Sequence, residues 1–393
     1  MVAGDLLTAR ERIDQLRDRQ RLRGTVEARH LQTLITILTR EGYCVIGPTL
    51  RDGAIVYDRL KSAEELPLGW TDEQEPGRYR LKKREDAAFF GYAVGPQSWK
   101  KYLHPPEVRL WSAKGANGTF RILNNEASSA RRYALLGVRA CELAAIEVQD
   151  RVLLADKYRD PIYEHHRAGV FVVAVQCTQA ASTCFCASMG TGPRMARGFD
   201  LLLTELASSK GHRFLVEAGT DRGASLLAQW EVVPATEEDL EEAEAGVERA
   251  SHQVRNIDTT EIKELLYHNF DHQRWDATAA RCLACANCTM VCPTCFCTTV
   301  EDVTDVTGTH AERWRRWDSC FTLSFSYIHG GSVRASPKAR YRHWVTHKLA
   351  WWHDQFGSSG CVGCGRCITW CPAGIDITEE VRVIRQGGKD GDA

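Results

Sequence analysis

Two runs of cysteine with the same spacing carry the chemistry of this sequence. Cys282, Cys285, Cys288 and Cys292 precede Pro293, and Cys361, Cys364, Cys367 and Cys371 precede Pro372. Soft thiolates hold iron, and two-residue gaps let three of them in one tight loop face a common centre. A cuboidal cluster takes a fourth thiolate. In paired runs of this form, the cysteine before proline lies too far along to close its own loop and ligates the cluster of the other run. The spacing therefore predicts two [4Fe-4S] clusters with crossed ligation. Cys282, Cys285, Cys288 and Cys371 would hold the first, and Cys361, Cys364, Cys367 and Cys292 the second. Structural zinc is the alternative, but zinc usually takes two separated Cys-x-x-Cys or Cys/His hooks rather than four thiols in one run.

Four further cysteines follow predicted strands. Tyr133 to Val138 reads as a strand, and Arg139-Ala140-Cys141-Glu142 leads from it into a helical pattern reaching Leu153. A second strand, Val170 to Val175, ends at Gln176-Cys177 and opens a loop holding Thr183-Cys184-Phe185-Cys186. In open α/β sheets, ligands sit beyond the carboxyl ends of strands, where helix N-termini favour negative charge. Cys141, Cys177, Cys184 and Cys186 are thus candidate ligands of a third iron–sulfur cluster, with Arg139 as a candidate counter-charge. Buried thiols or a redox pair are the alternatives. The first run is followed by Thr294-Cys295-Phe296-Cys297, which repeats the Thr-Cys-Phe-Cys of 183–186. Cys295, Cys297 and Cys320 read by default as packing residues; lining a cluster pocket or forming a rival third site are their other roles. Cys44, alone in an apolar strand, reads as core.

The elements that must position these groups follow from periodicity. Helices are expected over Thr8 to Arg23 and over Ala28 to Arg40, the second with Leu31, Leu34, Ile35 and Leu38 on one face. Tyr43 to Pro48 and Ala54 to Tyr57 flank Arg51-Asp52-Gly53, a hairpin signature. Glu64 to Arg84 is polar and reads as a surface segment. Short apolar strands recur at Phe199 to Leu206 and Phe214 to Val216. Helices follow at Pro234 to Gln253, which opens on acidic residues, and at Thr260 to Phe270. The interval Thr298 to Gly360 reads mostly helical, notably Arg340 to Phe356. Its Trp314, Trp317, Trp344, Trp351 and Trp352 are core or partner anchors, and Arg313, Arg315, Arg316, Arg340 and Arg342 read mainly as helix-surface charges.

A chain of 393 residues, 44% apolar, supports two or three cores. The expected fold class is α+β: an N-terminal α/β domain over 1–233, a helical connection over 234–270, and a helical cluster-bearing domain over 271–393. Fifty basic against 51 acidic residues leave no global footprint for nucleic acid or anionic lipid. The apolar runs, such as Gly169 to Val175, are far shorter than the roughly 20 residues that span a bilayer. No secretory or transit signal is expected. The 16 cysteines group like metal ligands rather than as a disulfide framework, which fits a reducing cytoplasm.

The long insert between the two runs makes residues 271–393 resemble the alpha-helical ferredoxin domain of iron–sulfur subunits in multi-subunit reductases. Three further segments are Gly137-Val138-Arg139-Ala140-Cys141-Glu142-Leu143, Thr183-Cys184-Phe185-Cys186-Ala187-Ser188-Met189-Gly190, and His353-Asp354-Gln355-Phe356-Gly357. With these the chain is similar to the iron–sulfur beta subunit of soluble sulfhydrogenases and NAD(P)-linked [NiFe] hydrogenases, and to the related iron–sulfur subunit of anaerobic sulfite reductase. The resemblance implies a non-catalytic electron-transfer subunit. It would relay electrons between a flavin subunit that handles NAD(P)H and the small and large subunits of a [NiFe] hydrogenase core. In the sulfite reductase alternative, the catalytic partner carries sirohaem. No G-x-G-x-x-G after a strand, Walker loop or H-E-x-x-H occurs, so no nucleotide or substrate site is expected in this chain. An iron–sulfur redox sensor is a third reading; it would carry an output module such as a helix-turn-helix, and none is recognised. Hydrogen bonds to sulfur, local charge and exclusion of water would set the cluster potentials, with Phe185 and Phe296 as candidates for the dry shell.

Overall fold

The computed structural model describes residues 23–116, 119–123, 131–155, 157–208 and 211–387. The helix expected from Thr8 lies outside them, apart from Arg23, which opens the first strand. In chain order the strands are β1 (Arg23–Glu27), β2 (Tyr43–Arg51), β3 (Ala54–Arg59), β4 (Trp70–Glu75), β5 (Arg78–Lys83), β6 (Glu107–Ala116) and β7 (Thr119–Leu123). Then come β8 (Arg132–Val138), β9 (Phe171–Val175), β10 (Leu201–Ser208), β11 (Gly211–Ala218), β12 (Val233–Pro234), β13 (Thr298–Thr304) and β14 (His310–Trp317).

Eight strands form one sheet in the order β12-β1-β11-β10-β9-β8-β2-β3. Its centre, β2-β8-β9-β10, is parallel, and antiparallel strands close both flanks. The sequence of β9 explains its central place, because all five of its residues are apolar and buried. Phe171, Val173 and Val175 pack with Leu31, Leu34 and Leu38 of the helix Leu31–Arg40. Val172 and Ala174 face the other way, onto Leu143 and Ile146 of the helix Ala140–Leu153. A strand covered on both faces has no need of alternating polarity. The β2–β3 hairpin turns through Asp52 and Gly53, both left-handed, with φ of 50° and 73°. Cys44 packs at the edge of the core, half-buried.

Two stretches differ from expectation. The polar segment 64–84 holds the β4–β5 hairpin, which buries Gln74. The first half of the 298–360 interval is stranded, not helical. β13 and β14 form a hairpin whose β14 edge pairs with β6, giving a four-stranded sheet β13-β14-β6-β7. Its charges alternate because they pair across strands: Arg313 with Asp302, Arg316 with Glu301 and Glu107, and Arg109 with Glu312. Helix resumes at Pro337–Thr346, capped by Ser336, and continues to Phe356.

A second core gathers Trp275, Phe321, Tyr341, Trp344, Leu349 and Ile368 around the cysteine runs. Trp352 joins Cys141, Ala145, Val148, Val362 and Cys364 in a further packed cluster. Through that cluster the carboxyl edge of the large sheet meets the second cysteine run directly.

Candidate iron–sulfur centres

Each run begins by curling through two left-handed residues at the same offsets from its first cysteine. These are Ala284 and Ala286 in the first run, and Gly363 and Gly365 in the second, with φ of 50°, 66°, 62° and 76°. Such a path turns successive backbone N–H groups inward, making a concavity suited to an anion. Ala284 N–H points to Cys282 Sγ at 3.4 Å, and Gly363 N–H to Cys361 Sγ at 3.5 Å. A left-handed alanine costs about 1–2 kcal/mol. The first loop has room for that cost, with Ala284 half-buried and Ala286 buried between exposed Leu283 and Cys285 and the second core. The second loop has no room for it: a Cβ on Gly363 would stand 2.6 Å from the Phe185 carbonyl oxygen, and one on Gly365 would stand 2.4 Å from that of Thr183.

Cys282, Cys285 and Cys288 line one cavity, and Cys371 of the other run enters it beside Cys367. Phe321, Tyr341, Trp344, Ile375 and Ile377 complete an apolar wall. Burial, followed by the neighbouring Cys282 and Cys371, pushes the Cys288 thiol well up. In the second grouping Cys367 feels Cys361, Cys364 and Cys292, and burial likewise pushes its thiol well up. Burial pushes the Cys361 thiol up to about 12, with Cys364 and Cys292 among its neighbours. Thiols such as Cys288, Cys361 and Cys367, costly to bury as isolated anions and set against apolar walls and inward amides, suit a centre that supplies cationic iron. Among the described residues no three His, Cys, Asp or Glu side chains are disposed round a single metal ion. Paired runs of this spacing suit iron–sulfur clusters, whose thiolates each meet a different iron.

The strand ends bring the other candidates together. Cys141 starts the helix after β8, and its thiol is hydrogen-bonded to that of Cys186. Cys184 neighbours Cys186 and Cys177, and Arg139 Nη1 lies 3.9 Å from Cys177 Sγ. Gln253 Nε2 donates to Cys186 Sγ at 3.1 Å. The loop 183–186 lies on the second run: Phe185 N–H donates to the Gly363 carbonyl at 2.9 Å, and the Thr183 and Thr369 hydroxyl oxygens lie 2.9 Å apart. Cys141, Cys177, Cys184 and Cys186 thus converge beside Cys364.

The repeated Thr-Cys-Phe-Cys at 294–297 behaves differently. The Cys295 thiol is hydrogen-bonded to Cys292, and Cys297 to Cys320. Cys320 is also part of the second core, beside Phe321.

Several charged and polar groups at these centres had no role assigned from sequence. Arg366, fully buried, hydrogen-bonds Cys364 and donates to the carboxylate of Glu142. Glu142 also accepts from Tyr57 Oη at 2.8 Å and Trp99 Nε1 at 3.0 Å. Burial, then Glu142, pushes the Tyr57 hydroxyl well up. Gln74 Oε1 accepts from Thr369 Oγ1 at 2.8 Å and from Thr183 Oγ1 at 3.2 Å, joining the two loops. Lys100 Nζ donates to the carbonyls of Cys292 and Cys295 at 3.2 and 3.1 Å, and Lys348 Nζ donates to Thr294 Oγ1 at 2.7 Å. Arg366 and Glu142 lie inside cysteine segments, which was the available signal; Gln74, Lys100 and Lys348 carried none.

Comparison with known proteins places the chain among iron–sulfur proteins. The 4Fe-4S dicluster domain family matches residues 281–375. Sulfhydrogenase 2 subunit beta of Pyrococcus furiosus is 34% identical over 350 residues, which is 87% of this chain and 92% of that protein. No solved structure matches. Among the described residues no helix is long and apolar enough to cross a membrane.

Proposed function

We propose, from the premise that this chain belongs to the family of sulfhydrogenase beta subunits, that it is the iron–sulfur wire of a cytoplasmic hydrogenase complex. It would accept electrons from one partner and pass them to another, linking a flavin subunit that handles NAD(P)H with the small and large subunits of a [NiFe] hydrogenase. Each cluster, when bound, supplies reversible one-electron chemistry. Cys282, Cys285, Cys288 and Cys371 would hold the first, and Cys361, Cys364, Cys367 and Cys292 the second. Cys141, Cys177, Cys184 and Cys186 would hold a third at the carboxyl end of the sheet.

The observation that carries this reading is adjacency. Cys367 lines the cavity of the first grouping while its neighbours belong to the second, and Cys364 of the second faces Cys141 and Cys184 of the third. Three thiol groups in sequence make a path. The protein's own part is to fix those sulfurs, to aim amides at them and to exclude water. Phe321, Tyr341 and Trp344 wall the first site, and Phe185 and Trp352 lie at the inner ones. The exposure of Cys285 supports the first site as the one that would meet an outside partner.

The test is anaerobic purification of the native complex, with metal analysis and viologen-linked assays. Nickel together with hydrogen oxidation is the expected result. Sirohaem with sulfite reduction would replace the hydrogenase reading, and a chain that purifies without any electron-transfer partner would refute the relay.

A further inference from the structure

The surroundings of the two dicluster groupings differ in charge. Among the described residues no Lys, Arg or His side chain lines the cavity of Cys282, Cys285, Cys288 and Cys371. A cation acting on Cys282 is Arg340, whose guanidinium donates to the backbone carbonyls of Phe321 and Ala335. The second grouping instead has two buried ammonium groups. Lys100 is 5% exposed and Lys348 is 4% exposed. Their hydrogen-bond acceptors are the Cys292 and Cys295 carbonyls for Lys100, with Nζ also 3.8 Å over the Trp317 ring, and Thr294 Oγ1, the Gly360 carbonyl and the Cys292 sulfur for Lys348. The groups facing them are sulfurs, namely Cys292 and Cys295 for both, with Cys297 for Lys100 and Cys361 for Lys348, and Lys100 also faces Lys348. The Thr294 hydroxyl, which accepts from Lys348 and lies 3.2 Å from Cys292 Sγ, bridges the same pair a second time. Arg366 is different, since Glu142 offsets its charge.

We propose that Lys348 and Lys100 are the tuning residues of the second cluster and hold its reduction potential above that of the first. The inference rests on the ligation proposed above. A four-thiolate [4Fe-4S] cluster gains one negative charge on reduction, with no bond formed or broken. A fixed positive charge beside it favours the reduced form, and a poorly screened interior strengthens that effect. Burial alone acts the other way, because it penalises added charge. Without the lysines the buried second cluster would be harder to reduce than the solvent-facing first. With them, an electron leaving the first cluster, which is thereby oxidised, moves downhill to reduce the second. The two ammonium groups give the path a direction.

The test is an EPR-monitored redox titration of the full chain with its clusters in place. Cys285→Ser alters the spectrum of the first cluster and so assigns the signals. In the wild type the signal that Cys285→Ser leaves alone should reduce first. Lys348→Met should lower the potential of that signal only, Lys100→Met should do so independently, and Lys348→Arg should keep most of the wild-type value. If both methionine variants retain full iron and neither moves the second signal, the inference is wrong; it is also wrong if the first cluster reduces first in the wild type. Iron loss in Lys348→Met alone leaves Lys100→Met to decide. A wild-type chain that binds no iron refutes the functional reading itself, and this inference with it.

Discussion

Glu142→Gln should destabilise the chain well beyond the loss of one hydrogen bond. The Glu142 side chain is 1% exposed and that of Arg366 is 0% exposed, so neither charge has water to fall back on. Glutamine keeps an oxygen for Tyr57 or Trp99 but leaves the guanidinium without its counter-ion. Breaking a buried ion pair from one side costs about 3–5 kcal/mol, a large part of the roughly 5–15 kcal/mol that holds an ordinary domain together. The assay is chemical denaturation of Glu142→Gln, Arg366→Met and the double variant under anaerobic conditions. Because the two single changes each strand the other's charge, the double variant should cost less than their sum by about 3 kcal/mol. A further readout follows from position: with its counter-ion gone, Arg366 should raise the potential of the second cluster through Cys364. Glu142→Gln costing under about 1 kcal/mol, or costs that simply add, would refute the claim that this pair joins the sheet to the second cysteine run.

Other changes test other contacts. Gly365→Ala adds a left-handed strain of about 1–2 kcal/mol and drives a Cβ into the Thr183 carbonyl; iron counts should fall at the second and third sites while the first cluster's EPR signal persists. Phe185→Asp puts a carboxylate at a fully buried position on the second run, and should lower a cluster potential in the same titration; an unchanged potential would remove Phe185 from the dry shell. Burial, then Arg315, lowers the His104 pKa to about 4, below its usual value near 6.5. Between those values the unfolded chain binds the extra proton. The stability from neutral His104 is therefore full above pH 6.5 and is lost as pH falls towards 4, by about 3 kcal/mol at most. His104→Phe should flatten that part of the pH–stability curve relative to wild type.

The two cysteine runs were legible because ligand spacing is local chemistry. The same holds for β8 and β9, whose apolar runs and following cysteines marked the carboxyl edge of a parallel sheet. The helix Leu31–Arg40 showed its 3.6-residue period plainly. β13 and β14 were not legible, since their Arg and Glu residues pair across strands and their third neighbour, β6, lies some 200 positions away. Lys100 and Lys348 look like any surface lysines in the sequence. Only the fold brings them, from opposite ends of the chain, to Cys292. Glu142 and Arg366 stand 224 residues apart, and their pairing is likewise a product of packing. The alanines at 284 and 286 break the local preference for glycine that the second run obeys, because only in the second run would a Cβ strike the backbone of the loop 183–186.

Crossed ligation is the central claim, and four single variants of the reconstituted chain test it by iron and sulfide content with EPR. Cys371→Ser should leave the same residual spectrum as Cys285→Ser, because both strip the first cluster, and Cys292→Ser should match Cys364→Ser. If Cys371→Ser instead matches Cys364→Ser, or if the wild-type chain carries zinc in place of iron, the account is contradicted.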